Sequence, residues 1–168
     1  MEAPKENLEA LEDADLVIFG IGSLYTSIIP NLLLNGIKES LKKCKGKRVY
    51  ICNAMQQPGE TEGYTVSDHI KAINKNVEEG IIDEVIVDSR EIPKEILERY
   101  RMMNSDRVIL DRDELEECKI KVIDRDILEI DSKMEAYHIT CSNYLFFNWK
   151  LGGILCINMF WTSCHQED

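Results

Sequence analysis

Three short apolar runs separated by helix-like stretches constrain this chain more than any other feature. They are residues 15–20 (DLVIFG), 47–53 (KRVYICN) and 84–88 (EVIVD). Such a run is too short for a buried helix and apolar on successive residues, so it suits a strand covered on both faces, as in a parallel sheet. Between the first two runs, residues 28–43 carry apolar side chains at helical spacing. Lys38, Lys42 and Lys43 fall near the end of that stretch, where cations complement the helix dipole. Ser67 can cap a helix over 68–79, and Pro93 suits the first turn of one ending near Arg101. Residues 5–13 read as a short amphipathic helix with Leu8 and Leu11 on one side, and 108–110 and 119–123 as further short strands. Strands alternating with helices predict βαβ units with right-handed crossovers, and so an α/β fold with a mainly parallel sheet flanked by helices.

Composition narrows the function classes. The chain has 168 residues, which suits one domain or part of a larger one. Its 20 basic and 31 acidic residues give a net charge of −11. That balance argues against a sequence-independent nucleic-acid binder and against a protein held on acidic lipid. A hydrophobic content of 44% argues against disorder. The six cysteines have irregular spacing without a Cys-x-x-Cys pair, residues 1–12 are polar and acidic, and Asn-x-Ser/Thr is absent. The expectation is a reducing, cytoplasmic compartment with no signal peptide.

Residues 137–168 read differently from residues 1–136. They hold seven of the twelve aromatics and half of the cysteines, but Lys150, Glu167 and Asp168 are their only charged groups apart from histidine. This division predicts an α/β domain over 1–136 and an atypical aromatic-rich tail, of the kind a shifted reading frame or truncated gene produces. Residues 145–161 are interrupted by Asn148, Lys150, Gly152, Gly153 and Asn158, so no membrane span is expected. His138, Cys141, Cys156, Cys164 and His165 fit no regular zinc spacing.

Ligands of open parallel sheets bind beyond the carboxyl ends of the strands, which directs attention to two loops. The first runs from Gly20 through Gly22, Ser23, Thr26 and Ser27 to Asn31. Glycines let the backbone approach a ligand, the hydroxyls donate, and a helix start is an anion site suited to phosphate. The same residues also suit a tight turn with Ser or Thr caps. The pattern is neither a full Gly-x-Gly-x-x-Gly nor a P-loop. The second loop runs from Asn53 through Gln57, Pro58, Gly59, Glu60, Thr61 and Tyr64 to Asp68 and His69. Its amides, carboxylates and hydroxyls could bind a sugar, a ribose or a base edge, and Tyr64 could stack on a ring. Glu60, Asp68 and His69 are the candidates for acid–base work. The plain alternatives are helix N-terminal charge for the carboxylates and a surface or core histidine for His69.

Together, the runs GSLYTSIIPNL and QPGETEGYTVSDHIKAI resemble the gluconeogenesis-factor family, CofD-like bacterial proteins that bind UDP-sugars and take part in carbon metabolism and cell-shape control. The resemblance covers roughly residues 5–130 and corresponds to the family's C-terminal half. It implies a Rossmann-like, CofD-like unit that is incomplete without the family's N-terminal half and its GGGTG-type loop. It also implies that both loops line one ligand cleft. The enzymes of the wider superfamily, 2-phospho-L-lactate transferases, lack the QPGET-type loop. Ile21 stands where the family usually has proline, a departure expected to loosen the first loop.

The resemblance therefore implies a regulatory binder of a nucleotide sugar, UDP-N-acetylglucosamine, with no cofactor required. The phosphates would lie on residues 22–27, with Tyr64 and the 57–61 turn on the uridine or sugar. The alternative is a transferase using a nucleotide-activated donor, with Mg²⁺ held by Glu60 or Asp68. A second copy, or a partner chain supplying the other half, is also expected.

Overall fold

The computed structural model describes residues 1–130, 136–138 and 154–157. The three apolar runs form parallel strands: β1 (Leu16–Phe19), β2 (Lys47–Ile51) and β3 (Glu84–Asp88). β4 (Lys121–Arg125) extends the sheet beyond β3, and β7 (Ile154–Ile157) lies parallel to β1 on its other side. The order is β4-β3-β2-β1-β7. β5 (Leu128–Ile130) and β6 (Ala136–His138) make a separate antiparallel pair. Of the aromatic-rich tail, only the backbone of 137–138 and 154–157 is described. The zinc candidates Cys141, Cys164 and His165 lie outside the described residues, and so does most of the 145–161 stretch.

From β1 to β4 the chain steps in one direction across the sheet. Right-handed crossovers with constant direction place their helices on one face. The packing agrees. Val17, Phe19, Tyr50, Val85 and Val87 share one buried cluster with Leu11 of α1 (Lys5–Asp13), Leu41 of α3 (Ile37–Lys43), Ile70 and Ile73 of α4 (Val66–Asn76), and Leu115 of α6 (Arg112–Glu117). The alternate residues Leu16, Ile18, Val49, Ile51 and Ile86 form a second buried cluster on the opposite face. This is the period-2 alternation of a pleated strand with both sides covered. A third cluster joins Ile92 and Ile96 of α5 (Lys94–Met102) to Ala54 and Leu128.

Three expectations from the sequence need correction. The stretch 28–43 is not one helix. A π-helical turn (Leu24–Ile28) runs into the short α2 (Ile29–Leu32), and α3 starts only after Gly36. Gly36 has φ +92°, and a Cβ there would lie 2.8 Å from Leu8 Cδ1, so the chain turns where α1 packs closely against it. Second, Thr65 rather than Ser67 caps α4. Thr65 Oγ1 accepts from Asp68 N–H (3.3 Å) while the Asp68 carboxylate accepts from Thr65 N–H (3.0 Å), a complete capping box. Third, 108–110 is not a regular strand. It makes isolated bridges only, Thr65 to Ile109 and, from the preceding residue, Met55 to Arg107. Its amides and carbonyls instead brace the second loop: Val108 N–H donates to Ala54 O (2.9 Å) and Ile109 O accepts from Val66 N–H (2.9 Å).

Candidate functional site

The two loops meet at the carboxyl ends of β1 and β2. β1 is followed by Gly20, which is buried, has φ +114° and would place a Cβ 3.1 Å from Ile51 O; a side chain would push this end of β1 away from β2. Ile21, where looseness was expected, packs its side chain onto the cluster of Leu16 and Ile18. Ser23 then caps the π-helical turn, its hydroxyl accepting from Thr26 N–H (3.1 Å) and Thr26 Oγ1–H (2.6 Å). The first amides of a helix have no partner four residues back within it, and at this turn the Ser23 hydroxyl takes that place for Thr26 N–H.

The start of this turn faces a carboxylate. Ser23 Oγ–H donates to Glu60 Oε2 at 2.5 Å. Two further contacts close the loops on each other: the Tyr25 and Tyr64 hydroxyls are 2.8 Å apart, and Asn53 Nδ2 donates to Gly22 O (3.2 Å) and Gln57 Oε1 (3.3 Å). The bond to Tyr64, with burial, pushes the Tyr25 phenol up to about 12, so Tyr25 is neutral at pH 7. Gly22, Ser23, Tyr25, Asn53, Gln57, Glu60 and Tyr64 are therefore brought into one place.

The other expected site residues have different surroundings. Ser27 is buried, and its carbonyl accepts from Asn31 Nδ2 (2.7 Å), so both stabilise the helical turn. Thr61 is fully buried and its hydroxyl accepts from Gln57 N–H (2.9 Å), which shapes the loop around exposed Pro58 and Gly59. Asp68 is engaged in the capping box. His69 is fully buried, with Nδ1 2.8 Å from Thr65 O. Its ring stacks on Tyr50 (centroids 6.2 Å) and meets Tyr64 edge-on (5.6 Å). Burial lowers the His69 pKa, partly opposed by the Thr65 carbonyl and the carboxylates of Asp68 and Asp111. Nδ1 is then the protonated nitrogen that donates to Thr65 O, by assignment of the tautomer that the bond requires. His69 thus supports Tyr64 from within the core, matching the core-histidine alternative.

Beside the loops lies a cleft of about 440 Å³. One wall is the second loop from Asn53 to Glu60; the other is Tyr100, Met103, Ser105 and Leu128. Sequence reading missed this second wall, since nothing local in α5 marks it. Ser105 Oγ–H donates to Gln56 O (2.6 Å), and Gln56 Oε1 accepts from Gly63 N–H (3.0 Å), tying the walls together. Leu128 is held in turn by Asp88 at the end of β3. The Asp88 carboxylate accepts from Ile127 N–H (3.1 Å) and Leu128 N–H (3.0 Å), and the Arg107 guanidinium donates to Asp88 O (3.0 Å) and Arg90 O (2.8 Å). Among the described residues, no group of three or more His, Cys, Asp or Glu side chains could hold a metal ion, and no helix is long and apolar enough to cross a membrane.

Known proteins share this arrangement of sequence and fold. The family described as 2-phospho-L-lactate transferase CofD matches residues 1–128. The gluconeogenesis factor of Bacillus subtilis is 48% identical over 118 residues, 70% of this chain and 37% of that protein. The gluconeogenesis factor of Halalkalibacterium halodurans is 42% identical over 128 residues, 76% of this chain and 40% of that protein. A solved UPF0052-family structure from Bacillus halodurans superposes with a TM-score of 0.78 at 37% identity, covering 82% of this chain and 44% of that one. The chain thus spans less than half the length of these relatives.

Proposed function

The chain belongs to the CofD family, and from that premise we propose that it binds a nucleotide sugar, UDP-N-acetylglucosamine, as a regulatory protein like the gluconeogenesis factors it resembles. The observation that carries this reading is the closure of the Ser23-capped turn onto the second loop through Glu60, Tyr64 and Asn53. A helix start supplies N–H donors for a diphosphate. The carboxamides and tyrosines beside it suit the sugar hydroxyls and the base. Regulation of carbon metabolism and cell shape, in a cytoplasmic setting, belongs to the same proposal.

The Glu60 carboxylate supports one competing reading, transfer of a phosphorylated group of the 2-phospho-L-lactate type from a nucleotide-activated donor. An anionic ligand placed on Ser23 would face that carboxylate, and Mg²⁺ between them would remove the repulsion. A thermal melt with UDP-N-acetylglucosamine, UDP-glucose and NAD, each with and without Mg²⁺, tests the proposal. A melt raised by UDP-N-acetylglucosamine supports it, with added stability of about 2.7 kcal/mol at 100 times Kd. A cooperative melt indifferent to all three ligands overturns it. Stabilisation only in the presence of Mg²⁺, together with release of the nucleotide from the donor, favours the transferase.

A further inference from the structure

Tyr25, Tyr64, His69 and Tyr50 form one line of side-chain contacts from the mouth of the two loops down to the sheet. The Tyr25 and Tyr64 hydroxyls lie 2.8 Å apart and share a hydrogen bond, and their rings meet edge-on with centroids 6.3 Å apart. Tyr64 meets the His69 ring edge-on at 5.6 Å, and His69 stacks on Tyr50 at 6.2 Å. Burial deepens along the line: Tyr25 and Tyr64 are half-buried, His69 and Tyr50 fully buried. The four residues come from four segments, namely the π-helical turn, the second loop, α4 and β2.

His69 grips the second loop at two points. Its ring packs against the side chain of Tyr64, and its Nδ1–H donates to the carbonyl of Thr65, the next residue (2.8 Å). One contact fixes the Tyr64 ring and the other fixes the backbone that carries it. The second ring nitrogen, Nε2, is buried with no hydrogen-bond partner among the described residues. A buried polar atom left in that state is costly, and phenylalanine would fill the same space without it. What phenylalanine lacks is the Nδ1–H for Thr65 O. The histidine is therefore better accounted for as an anchor of residues 64–65 than as core filling.

We propose that this line is a latch, in which His69 sets the angle of Tyr64 and the Tyr64 hydroxyl in turn holds Tyr25 and the first loop. His69 is then a positioning residue for the mouth of the site. Displacing its ring tilts Tyr64 and releases the Tyr25 hydroxyl. Displacing Tyr25 reaches His69 by the same route, because coupling between two sites is reciprocal. The latch holds for any ligand the loops take; its effect on affinity for a nucleotide sugar rests on the function proposed above.

Tyrosine ¹³Cζ and histidine-ring NMR on the full chain tests the latch, with signals assigned from Tyr25→Phe, Tyr64→Phe and His69→Asn. The Cζ carbon bears the hydroxyl and reports its hydrogen bonding. Asparagine keeps a donor for Thr65 O but has no ring. The expected result is that His69→Asn shifts the Tyr25 signal at the far end of the line. The same substitution in a Tyr64→Phe background leaves Tyr25 unmoved, since the hydroxyl that carries the effect is gone. Tyr25→Phe, a milder change at a half-buried residue, shifts the His69 ring signals and decides the matter should His69→Asn fail to fold. A Tyr25 signal unmoved in folded His69→Asn, or moved equally with and without the Tyr64 hydroxyl, overturns the latch. So does a His69 ring indifferent to Tyr25→Phe.

Calorimetric titration with UDP-N-acetylglucosamine reads the consequence for binding. Affinity is expected to fall in Tyr25→Phe and in His69→Asn, and no further in the double variant. Independent sites would add their losses, so additive losses overturn the latch. NMR coupling as expected, in a wild-type protein that does not bind UDP-N-acetylglucosamine, supports the latch and overturns the proposed function.

Discussion

Ser23 and Glu60, 37 residues apart in sequence, share a 2.5 Å hydrogen bond across the mouth of the two loops. The hydroxyl that caps a helical turn thus also binds a carboxylate. Negative charge at a helix start is stabilising by about 0.3–1 kcal/mol, and Glu60 supplies it at the start of this turn.

Glu60→Gln is therefore expected to strengthen Mg²⁺-free binding of a phosphate-bearing ligand. Relief of about 1 kcal/mol of repulsion, the upper scale for a solvent-screened pair, is roughly a fivefold gain in affinity. Calorimetric titration of UDP-N-acetylglucosamine into both proteins in chelator-treated buffer checks this. Equal or weaker binding by Glu60→Gln would mean that the carboxylate accepts from the ligand's hydroxyls rather than opposing its phosphates.

Thr65→Ala removes the N-cap acceptor of α4 and breaks the bond from Asp68 N–H to the Thr65 hydroxyl, while the backbone N–H of residue 65 can still donate to the Asp68 carboxylate. The expected loss is about 1 kcal/mol, a fall in Tm of roughly 2–4 °C for a chain of this size. Asp68→Asn keeps a side-chain acceptor for Thr65 N–H and should cost less. A larger effect from Asp68→Asn than from Thr65→Ala would place the weight of the motif on the Asp68 charge instead.

The sheet was legible because its strands are covered on both faces. That requirement writes uninterrupted apolar runs into residues 16–19, 49–52 and 85–87. The break at Gly36 was less visible because Ile37 and Leu41 keep the helical spacing across it; the Asn35-Gly36 pair was the available turn signal. The α4 cap was misassigned because Ser67 and Thr65 are equally good caps locally. Asp68, three residues after Thr65, was the sign that decided it. The two loops could be named as one site only through resemblance. The far wall of the cleft could not be named at all, since Tyr100, Met103 and Ser105 reach it through contacts some 50 residues distant in sequence, such as Ser105 to Gln56.

Asp88 should prove a structural residue of the site although it touches no proposed ligand group. Its carboxylate accepts from the amides of Ile127 and Leu128, both buried. Asp88→Ala strands those two donors, at about 1–3 kcal/mol for each unsatisfied buried group, so a total of about 2–6 kcal/mol is expected in urea unfolding. Asp88→Asn keeps one acceptor oxygen and should cost about half as much. Equal losses for the two variants would assign the effect to the charge facing Arg107 rather than to the stranded amides.

His69 makes stability depend on pH in a direction that can be stated in advance. In the unfolded chain a histidine takes up a proton below about 6.5. Folded His69 resists that proton, because burial lowers its pKa and the Thr65 carbonyl and nearby carboxylates only partly compensate. The unfolded state therefore binds more protons below about pH 6.5, and stability falls as pH drops through that value and is level above it. Asp83 and Asp111 act in a lower window. Burial raises both carboxyl pKa values, but bonds from Arg48 to Asp83 and from Ser67 and Thr65 to Asp111 outweigh it and hold them below the usual range. Their contribution is lost only as pH falls through about 4 and beyond. Melts of the wild-type chain and of His69→Phe between pH 5 and 8 isolate the histidine. Phenylalanine keeps a ring between Tyr50 and Tyr64 but cannot titrate, so its curve should be lower overall and flatter between pH 5 and 6.5. Parallel curves for the two proteins would show that His69 is free to take up a proton in the folded state, and that its burial against Tyr50 does not govern its charge.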